Sequence, residues 1–319
     1  MKVLVIGCGN IGERHISNLL ALKQEVLVHD VDQNRLEEVA YRYGVNPRHD
    51  FPVDAMVICT PPEHHKHYLE SAVELGCPVF VEKPLADDNE GLATLLGEAK
   101  AKKVAVCVGY QLRFHPGLRV VKKLLDADAI GTPLFAHAQF SQYLPNWHPE
   151  QNYKTSYTAK LGIILDASHE IDYLRWLLGE GSLVACTGGK RSDLEIEGED
   201  MAAMLLQFKS GVSATVHVDM VQQDRYIRWC LITGTKGTLK WDYAQNKVFL
   251  NSIQRFDHRQ VGKTFEPNDM YLDEMKHFLA VVEGKEKPLV SGEDGLKTLQ
   301  VALAAKKMQS QVVSTARFL

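Results

Sequence analysis

The first third of the chain alternates short apolar runs with longer amphipathic stretches. The apolar runs are rich in β-branched residues and are bounded by polar residues or glycine, as buried strands are. They cover residues 3–6, 26–28, 55–59, 79–81 and 104–108. Helical periodicity covers residues 11–22, 33–43, 64–75 and 89–102. This alternation predicts an α/β domain built on a doubly wound parallel sheet.

The pattern changes after about residue 120. Longer strands are predicted at residues 134–140, 183–188, 202–208, 212–219, 228–233 and 238–241. Lys209-Ser210-Gly211 and Gly234-Thr235-Lys236-Gly237 are typical of tight turns between neighbouring strands. Helices are predicted at residues 168–178, 272–282 and 295–308. We therefore expect an α+β second domain with a mostly antiparallel open sheet, and a division into residues 1–120 and 121–319 with a cleft between the two domains.

Composition narrows the function classes. The chain has 319 residues, a net charge of -4 and six cysteines that form no Cys-x-x-Cys pair. The charge argues against nucleic acid or an anionic membrane as a partner. We expect no signal peptide and no membrane span, because no apolar run approaches the roughly 20 residues that a span needs. Scattered cysteines fit a reducing compartment, so a cytoplasmic protein is expected.

A glycine-rich loop follows the first predicted strand and opens the first predicted helix. In Gly7-Cys8-Gly9-Asn10-Ile11-Gly12, the first glycine permits a tight turn and the second lets the backbone approach a pyrophosphate. The third lets the helix pack closely on the strand, and the free N–H groups of the helix start can bind phosphates. Glycines of this kind also occur in purely structural turns. The strand-to-helix context favours a Rossmann domain in residues 1–120 that binds a dinucleotide through Gly7, Gly9, Asn10, Ile11 and Gly12.

An acidic residue ends the second predicted strand. A carboxylate at Asp30 can accept hydrogen bonds from the adenosine ribose and would repel a 2′-phosphate, which favours NAD over NADP. Asp30 could instead cap the next helix, and Asp32 competes for either role. Arg35 lies close enough in sequence to soften the preference for NAD.

Three further segments add specific motifs. They are Cys59-Thr60-Pro61-Pro62-Glu63-His64-His65, Val81-Glu82-Lys83-Pro84-Leu85-Ala86 and Asp166-Ala167-Ser168-His169-Glu170-Ile171-Asp172. Together with the glycine loop they resemble the Gfo/Idh/MocA family, which takes its name from glucose-fructose oxidoreductase and inositol dehydrogenase. The likeness runs through nearly the whole chain, including Gly109-Tyr110-Gln111-Leu112-Arg113-Phe114.

The resemblance predicts which residues of the first domain lie near the cofactor. It implies that Lys83 ends a Rossmann strand beside the nicotinamide and faces both cofactor and substrate, and that a cis bond often precedes the following proline. Ligands do bind outside the carboxyl ends of strands in open α/β sheets. Without its neighbours, this lysine could equally be a surface residue that closes a strand. The resemblance also places the following residues near the cofactor: Thr60, Pro61, His65, Glu82 and Arg113.

The resemblance places the other half of the chemistry on a helix of the second domain. His169 matches the family histidine, and an imidazole suits proton exchange with a hydroxyl at neutral pH. A buried histidine bonded to the backbone is the alternative. The family has an aspartate four residues before this histidine, where this chain has Leu165, so Asp166 is the nearest substitute. Lys83, His169 and Asp166 are therefore the predicted catalytic residues, with Asp172 as a possible partner of His169.

Histidine density alone suggests a metal. His64, His65 and His67 lie close together, but adjacent residues at a helix start point in different directions, and no cysteine or carboxylate has metal-ligand spacing. No metal is expected.

The segment from Tyr143 to Lys154 is rich in aromatic and polar residues. Such side chains can stack on a sugar ring and bind its hydroxyls, so Trp147 and Tyr153 join Lys83, Asp166 and His169 as predicted substrate-binding residues. The same segment could instead pack against another subunit. Lys154 and Arg225 could meet a phosphate, which keeps nucleotide sugars as candidates.

These residues predict an NAD-dependent dehydrogenase that acts on a CH–OH group of a sugar or nucleotide sugar. An inositol or free-sugar dehydrogenase is the alternative within the same chemistry. A different class is a sensor that binds NAD without turnover, although loss of the lysine or the histidine would mark such a protein and both are present. The resemblance also implies a homodimer or homotetramer formed through the open sheet face.

Overall fold

The computed structural model describes residues 1–47, 52–147, 157–158, 160–252, 255–260 and 265–315. The chain forms two compact units. The first contains Met1–Phe114 and Glu266–Leu299, and the second contains His115–Phe265 and Gln300–Leu319. The sequence predicts a single boundary near residue 120. It does not predict that the chain returns to the first unit at Glu266–Leu299.

The first unit is built on a five-stranded parallel sheet of order β2-β1-β3-β4-β5. Its strands are β1 (Lys2–Ile6), β2 (Glu25–His29), β3 (Ala55–Ile58), β4 (Val79–Glu82) and β5 (Val106–Gly109). The helices between them are α1 (Asn10–Ala21), α2 (Gln33–Tyr43), α3 (Pro62–Glu74) and α4 (Leu92–Ala101). The predicted α/β alternation is confirmed, with β5 beginning later and α4 shorter than the pattern indicates.

The strand order creates a switch point between β1 and β3. The chain passes from β1 outward to β2, then returns to β3 and continues the other way to β4 and β5. In open α/β sheets the crevice outside the carboxyl ends at such a point is where ligands bind. The segments that leave β1, β3 and β4 therefore lie where a cofactor is expected.

The late segment of the chain completes the core of this unit. Helix α9 (Pro267–Val282) begins with a capping box in which Glu266 and Asp269 exchange side-chain and backbone bonds. Its Met275 and Phe278 belong to the same buried apolar cluster as Val3 and Val57. The first unit therefore depends on residues far apart in sequence.

The second unit is built on an eight-stranded sheet of order β13-β12-β11-β10-β6-β9-β8-β7. Its strands are β6 (Pro133–Ser141), β7 (Gly181–Gly189), β8 (Met201–Phe208), β9 (Ser213–Asp219), β10 (Ile227–Gly234), β11 (Gly237–Asp242), β12 (Lys247–Ser252) and β13 (Arg255–Gln260). Only the β6–β9 pair is parallel among the described strands of this sheet. The mostly antiparallel sheet is confirmed, and β12 and β13 extend it beyond the predicted strands.

The two faces of this sheet differ in exposure. On β6, Ala136, Ala138 and Phe140 are buried, whereas Phe135, which precedes Ala136 and points to the opposite face, is 40% exposed. The same alternation occurs on β8, where Leu205 is 37% exposed. Helices of this unit are α5 (Pro116–Asp126), α6 (Leu144–Trp147), α7 (Ile163–Asp166), α8 (His169–Leu178) and α10 (Gly292–Thr315), the last of which begins in the first unit. Within the described part of the chain, no helix is both long and apolar enough to cross a membrane.

Candidate active site

The glycine loop after β1 has the geometry of a phosphate-binding turn. Gly7 has φ +97°, and a Cβ there would lie 2.7 Å from the carbonyl carbon of Cys59. A Cβ on Gly12 would lie 1.9 Å from the carbonyl oxygen of Gly7, so the first turn of α1 packs directly on the loop. A Cβ on Gly9 would meet no atom within 4 Å. Only the middle glycine therefore faces open space.

The start of α1 has the features of an anion-binding helix N-terminus. Gly9 is its N-cap residue, and because glycine has no side chain it makes no side-chain cap hydrogen bond to the first N–H groups. Asn10 and Ile11 are its first two residues. A twelve-residue helix with an uncapped start, entered through an open glycine, fits the pyrophosphate of a dinucleotide.

Asp32 takes one of the two roles that the sequence leaves open for Asp30 and Asp32. The side chain of Asp32 accepts hydrogen bonds from the Asn34 and Arg35 N–H groups and caps α2. Asp30 is buried, with Oδ2 accepting from Cys8 N–H at 2.7 Å and Oδ1 from Asp32 N–H at 2.8 Å. Asp30 thus ties the end of β2 to the glycine loop and stands where an adenosine ribose is expected. The Arg35 guanidinium is 3.5 Å from Asp30 Oδ2.

The turn after β3 is bonded to the segment after β4. His65 is 1% exposed on α3, with Nε2 2.7 Å from the Thr60 carbonyl oxygen and Nδ1 2.9 Å from the Pro84 carbonyl oxygen. Carbonyl oxygens only accept, so both bonds exist together only when the ring carries two protons. Burial lowers the pKa of His65, and the bonds to Pro84 and Thr60 oppose that shift. A neutral His65 ring therefore donates to one of the two carbonyl oxygens and lies against the other. Among the described residues, the buried Thr60 hydroxyl has no hydrogen-bond partner.

Glu82 and Lys83 lie at the carboxyl end of β4. The Glu82 carboxylate is buried, and His15 Nε2 donates to its Oε1 at 2.7 Å. Its Oε2 accepts from the Lys83 N–H at 3.1 Å. The Lys83–Pro84 peptide bond is cis, as the resemblance implies. The residues predicted for the cofactor side of the site thus lie together in the first unit, with Glu82 bound by protein groups.

Arg113 is buried after β5. Its guanidinium donates to the Leu289 carbonyl oxygen at 3.0 Å. That bond joins the end of β5 to the late segment of the chain, and a role for Arg113 in cofactor binding stays a prediction.

The second unit carries the predicted acid and histidine. Asp166 ends α7, and the Tyr157 hydroxyl donates to its Oδ2 at 2.8 Å. Burial, and then the charge of Asp166, raise the pKa of Tyr157, which keeps this hydroxyl a donor. His169 is the first residue of α8 and is buried. The neighbouring Glu170 is fully buried and accepts from Arg228 Nε at 2.9 Å.

A second acid fixes the start of α7. Glu199 Oε1 accepts from the Ile164 N–H at 3.3 Å, and the Glu199 carbonyl accepts from the Ile163 N–H at 2.9 Å. Lys306 Nζ lies 2.9 Å from Glu199 Oε2 and balances its charge. Helix α7 has four residues and ends at Asp166, so these bonds at its start also fix the position of the Asp166 backbone.

Some predicted residues fall outside what can be described. Tyr153 and Lys154 lie in the undescribed segment 148–156, and only the backbone of Trp147 is described, at the end of α6. Within the described ranges, no group of three or more His, Cys, Asp or Glu side chains could hold a metal ion. All six cysteines are buried free thiols, and burial raises the pKa of Cys8 to about 12.

Three residues at the site are absent from the sequence-based prediction. His15, Tyr157 and Glu199 each bind a predicted residue or the helix that carries it. His15 lies next to Ile16 on the apolar face of α1. An ionisable residue among buried apolar ones indicates a functional position, so His15 could have been found from the sequence. Tyr157 and Glu199 lie in irregular segments, and their spacing carries no such signal.

Comparison with known families covers most of the chain. Residues 1–110 match the oxidoreductase family with an NAD-binding Rossmann fold, GFO/IDH/MocA. Residues 118–240 match the GFO/IDH/MocA C-terminal domain.

Individual relatives have similar lengths. Myo-inositol 2-dehydrogenase of Thermotoga maritima is 28% identical over 325 residues, covering 96% of this chain and 96% of the relative. Inositol 2-dehydrogenase 3 of Saccharopolyspora erythraea is 33% identical over 254 residues, covering 75% and 72%. An oxidoreductase from Agrobacterium radiobacter, solved with NAD+, L-tartaric acid and magnesium, superposes with a TM-score of 0.86. It is 21% identical, with 97% of this chain and 96% of that chain covered, and shows the same fold.

Proposed function

The chain belongs to the GFO/IDH/MocA family of NAD-binding oxidoreductases, and we propose that it oxidises a secondary hydroxyl on the ring of a cyclic polyol or sugar. The observation that carries the proposal is Lys83 at the carboxyl end of β4, next to the switch point flanked by the glycine loop and Thr60. An ammonium on a strand end beside the expected cofactor crevice can bind or exchange a proton with the reacting hydroxyl.

The proposed division of labour follows the chemistry of the side chains. When bound, NAD+ accepts the hydride from the carbinol carbon. His169 takes the hydroxyl proton, directly or with Lys83 as a relay, and Lys83 holds the hydroxyl oxygen through its ammonium. Asp166, held by the Tyr157 hydroxyl, supplies the negative charge that favours a protonated partner. Trp147 and Tyr153 are proposed to contact the ring of the substrate.

Two relatives named as inositol 2-dehydrogenases favour a cyclic polyol as the first substrate to test. We expect NADH absorbance to rise when the protein is incubated with NAD+ and myo-inositol or a related free sugar. The panel also contains nucleotide sugars, because the sequence leaves that class open. NADP+ in place of NAD+ is the matched control, and Asp30 predicts slower reduction with it.

The outcomes of this panel separate enzyme from sensor. Reduction with one substrate class identifies that class. Binding of NADH, measured by fluorescence, without reduction by any member of a broad panel would contradict the proposed dehydrogenase and favour a sensor.

We also propose that the protein works in the cytoplasm as a homodimer or homotetramer. The free thiols of all six cysteines support a reducing compartment. Association through the open face of the eight-stranded sheet is supported by exposed Phe135 and Leu205, and by a groove of about 540 Å³ lined by His137, Met204 and Trp229.

Light scattering tests the association. We expect a mass of at least twice the 35.8 kDa of one chain. Leu205→Lys on the open face should shift the protein toward monomers by placing a charge in an apolar contact. A monomer at micromolar concentration in the unsubstituted protein would contradict the proposal.

A further inference from the structure

Two buried histidines bind the residues on either side of Lys83. His15 on α1 binds the Glu82 side chain, and His65 on α3 binds the Pro84 carbonyl. Neither ring is exposed, at 0% and 1%, so neither is placed to touch a substrate. Each instead acts on the backbone or side chain of a residue adjacent to Lys83.

We propose that His15 and His65 are positioning residues that hold Lys83 in its reactive orientation, His15 through Glu82 and His65 through Pro84. The inference rests on the proposed function, in which Lys83 meets the reacting hydroxyl. It assigns a role to both histidines within the first unit alone.

The His15 connection is continuous from helix to strand end. His15 Nε2 is 2.7 Å from Glu82 Oε1, and the other carboxylate oxygen is 3.1 Å from the Lys83 nitrogen. The ring also makes an edge contact with Phe80 on β4, at 5.3 Å between centroids. A single carboxylate thus joins the helix that opens at the glycine loop to the peptide of Lys83.

The space around the Glu82 carboxylate is shaped for this arrangement. Gly109 is the register partner of Glu82 on β5. A Cβ at Gly109 would lie 3.0 Å from Glu82 Cδ and 3.0 Å from Oε2. Only glycine leaves the carboxylate its present position, so the site offers a way to displace Glu82 without changing either histidine.

The His65 connection fixes the other side. Its two ring nitrogens lie 2.7 Å from the Thr60 carbonyl oxygen and 2.9 Å from the Pro84 carbonyl oxygen. The ring therefore lies between the turn after β3 and the segment that follows Lys83, and donates to both carbonyl oxygens only when it carries two protons. A displacement of about 1 Å at a reacting group can cost on the order of 10²-fold in rate.

Substitutions that keep or remove a donor test the His15 link. His15→Gln retains an N–H that can donate to Glu82, whereas His15→Leu removes it. We expect kcat to fall about 10- to 10²-fold in His15→Leu and to be largely rescued in His15→Gln, with the NADH Kd unchanged within about threefold. Gly109→Ala should reproduce the loss with both histidines intact.

A double-mutant comparison tests whether His15 acts through Glu82. In a Glu82→Gln background, His15→Leu should lower kcat by less than about threefold, because the path is already broken. An equal loss in both backgrounds would overturn the path. A loss of kcat that tracks the loss of thermal stability across all variants would reduce His15 to a structural residue.

Amide hydrogen exchange gives a readout that needs no substrate. We expect the peptide containing Lys83 to exchange several-fold faster in His15→Leu, Gly109→Ala and His65→Leu, because its N–H loses a fixed acceptor or its neighbour loses an anchor. His67→Gln, on the exposed face of the same α3 helix, is the control and should leave exchange and kcat unchanged. Unchanged exchange in all three test variants overturns the inference even if no substrate is found. If the unsubstituted protein is active and His15→Leu, Gly109→Ala and His65→Leu are equally active, the inference is overturned and the proposed function is unaffected.

Discussion

Replacement of Lys83 by alanine is expected to lower kcat by about 10²- to 10⁴-fold, the usual contribution of a positioned proton-exchanging group. The Lys83 backbone is anchored by Glu82 and lies at the end of a buried strand, so removal of the side chain beyond Cβ leaves the fold of the first unit unchanged. NADH binding should therefore survive. Steady-state kinetics with the substrate found in the panel, together with an NADH titration by fluorescence, measure both quantities.

His169→Ala is expected to behave in the same way, since the proposal gives both side chains parts of one proton transfer. The combined variant should be little slower than the worse single variant, because residues that act as a unit are not additive. Lys100→Ala, on the exposed surface of α4, is the control lysine and should retain full turnover. Near-normal turnover in both Lys83→Ala and His169→Ala would remove the catalytic assignment, and loss of NADH binding in Lys83→Ala would show that the side chain serves the cofactor.

Conservative variants separate charge from proton exchange. Lys83→Arg keeps a cation and hydrogen-bond donors but cannot give up its proton. Activity close to that of the parent would mean that Lys83 acts as a fixed charge, with His169 as the sole base. Activity as low as that of Lys83→Ala would favour Lys83 as part of the relay.

Much of the first unit follows from local sequence alone. Apolar runs of three to five residues separated by amphipathic stretches have few arrangements other than a parallel sheet with helices on both faces. The glycine loop adds a specific geometry, which the open space at Gly9 and the close packing at Gly12 match. The sequence favours Asp30 for the ribose but leaves Asp32 as a rival for either role, and the bonds of Asp32 to the start of α2 give Asp32 the capping role.

The features beyond local sequence depend on distant partners. Helix α9 belongs to the core of the first unit although it lies more than 150 residues after β5. The periodicity of α9 predicts a helix but does not indicate which sheet the helix packs against. The edge strand β13 has the sequence Arg-Phe-Asp-His-Arg-Gln, whose single apolar residue gives no alternation to detect. The His15–Glu82 pair joins residues 67 positions apart, so its effect on Lys83 becomes visible only when α1 is packed on β4.

The second unit shows the same limit at the level of the site. The motif around His169 identifies the helix, and the structure adds that a break at Ala167 separates α7 from α8. The position of Asp166 then depends on Tyr157 and on the Glu199–Lys306 pair, which come from segments on either side of the motif. The candidate catalytic residues can thus be predicted from the motif. The residues that orient them can be identified only from the folded structure.

Alanine at Gly9 is expected to abolish tight NADH binding while leaving the protein folded. A methyl group there meets no protein atom within 4 Å, so the free energy of unfolding should change by less than about 1 kcal/mol, the cost of a poorer N-cap. The same methyl group would occupy the space through which a pyrophosphate reaches the N–H groups of α1. We expect the NADH Kd to rise by about 10²-fold or more, equivalent to about 2.7 kcal/mol.

Alanine at Gly12 should instead damage binding and stability together. Its Cβ would lie 1.9 Å from the Gly7 carbonyl oxygen, a backbone atom that cannot move without opening the loop. Overpacking of this kind costs roughly 1–3 kcal/mol. Gly97→Ala, in the middle of α4 with nothing within 4 Å, is the matched control and should stabilise the protein by about 0.5–1 kcal/mol with binding unchanged. Denaturant unfolding and NADH fluorescence on the three variants separate these outcomes. If Gly9→Ala binds NADH as tightly as the parent, the pyrophosphate does not approach the protein through this loop, and the cofactor site must lie elsewhere on the first unit.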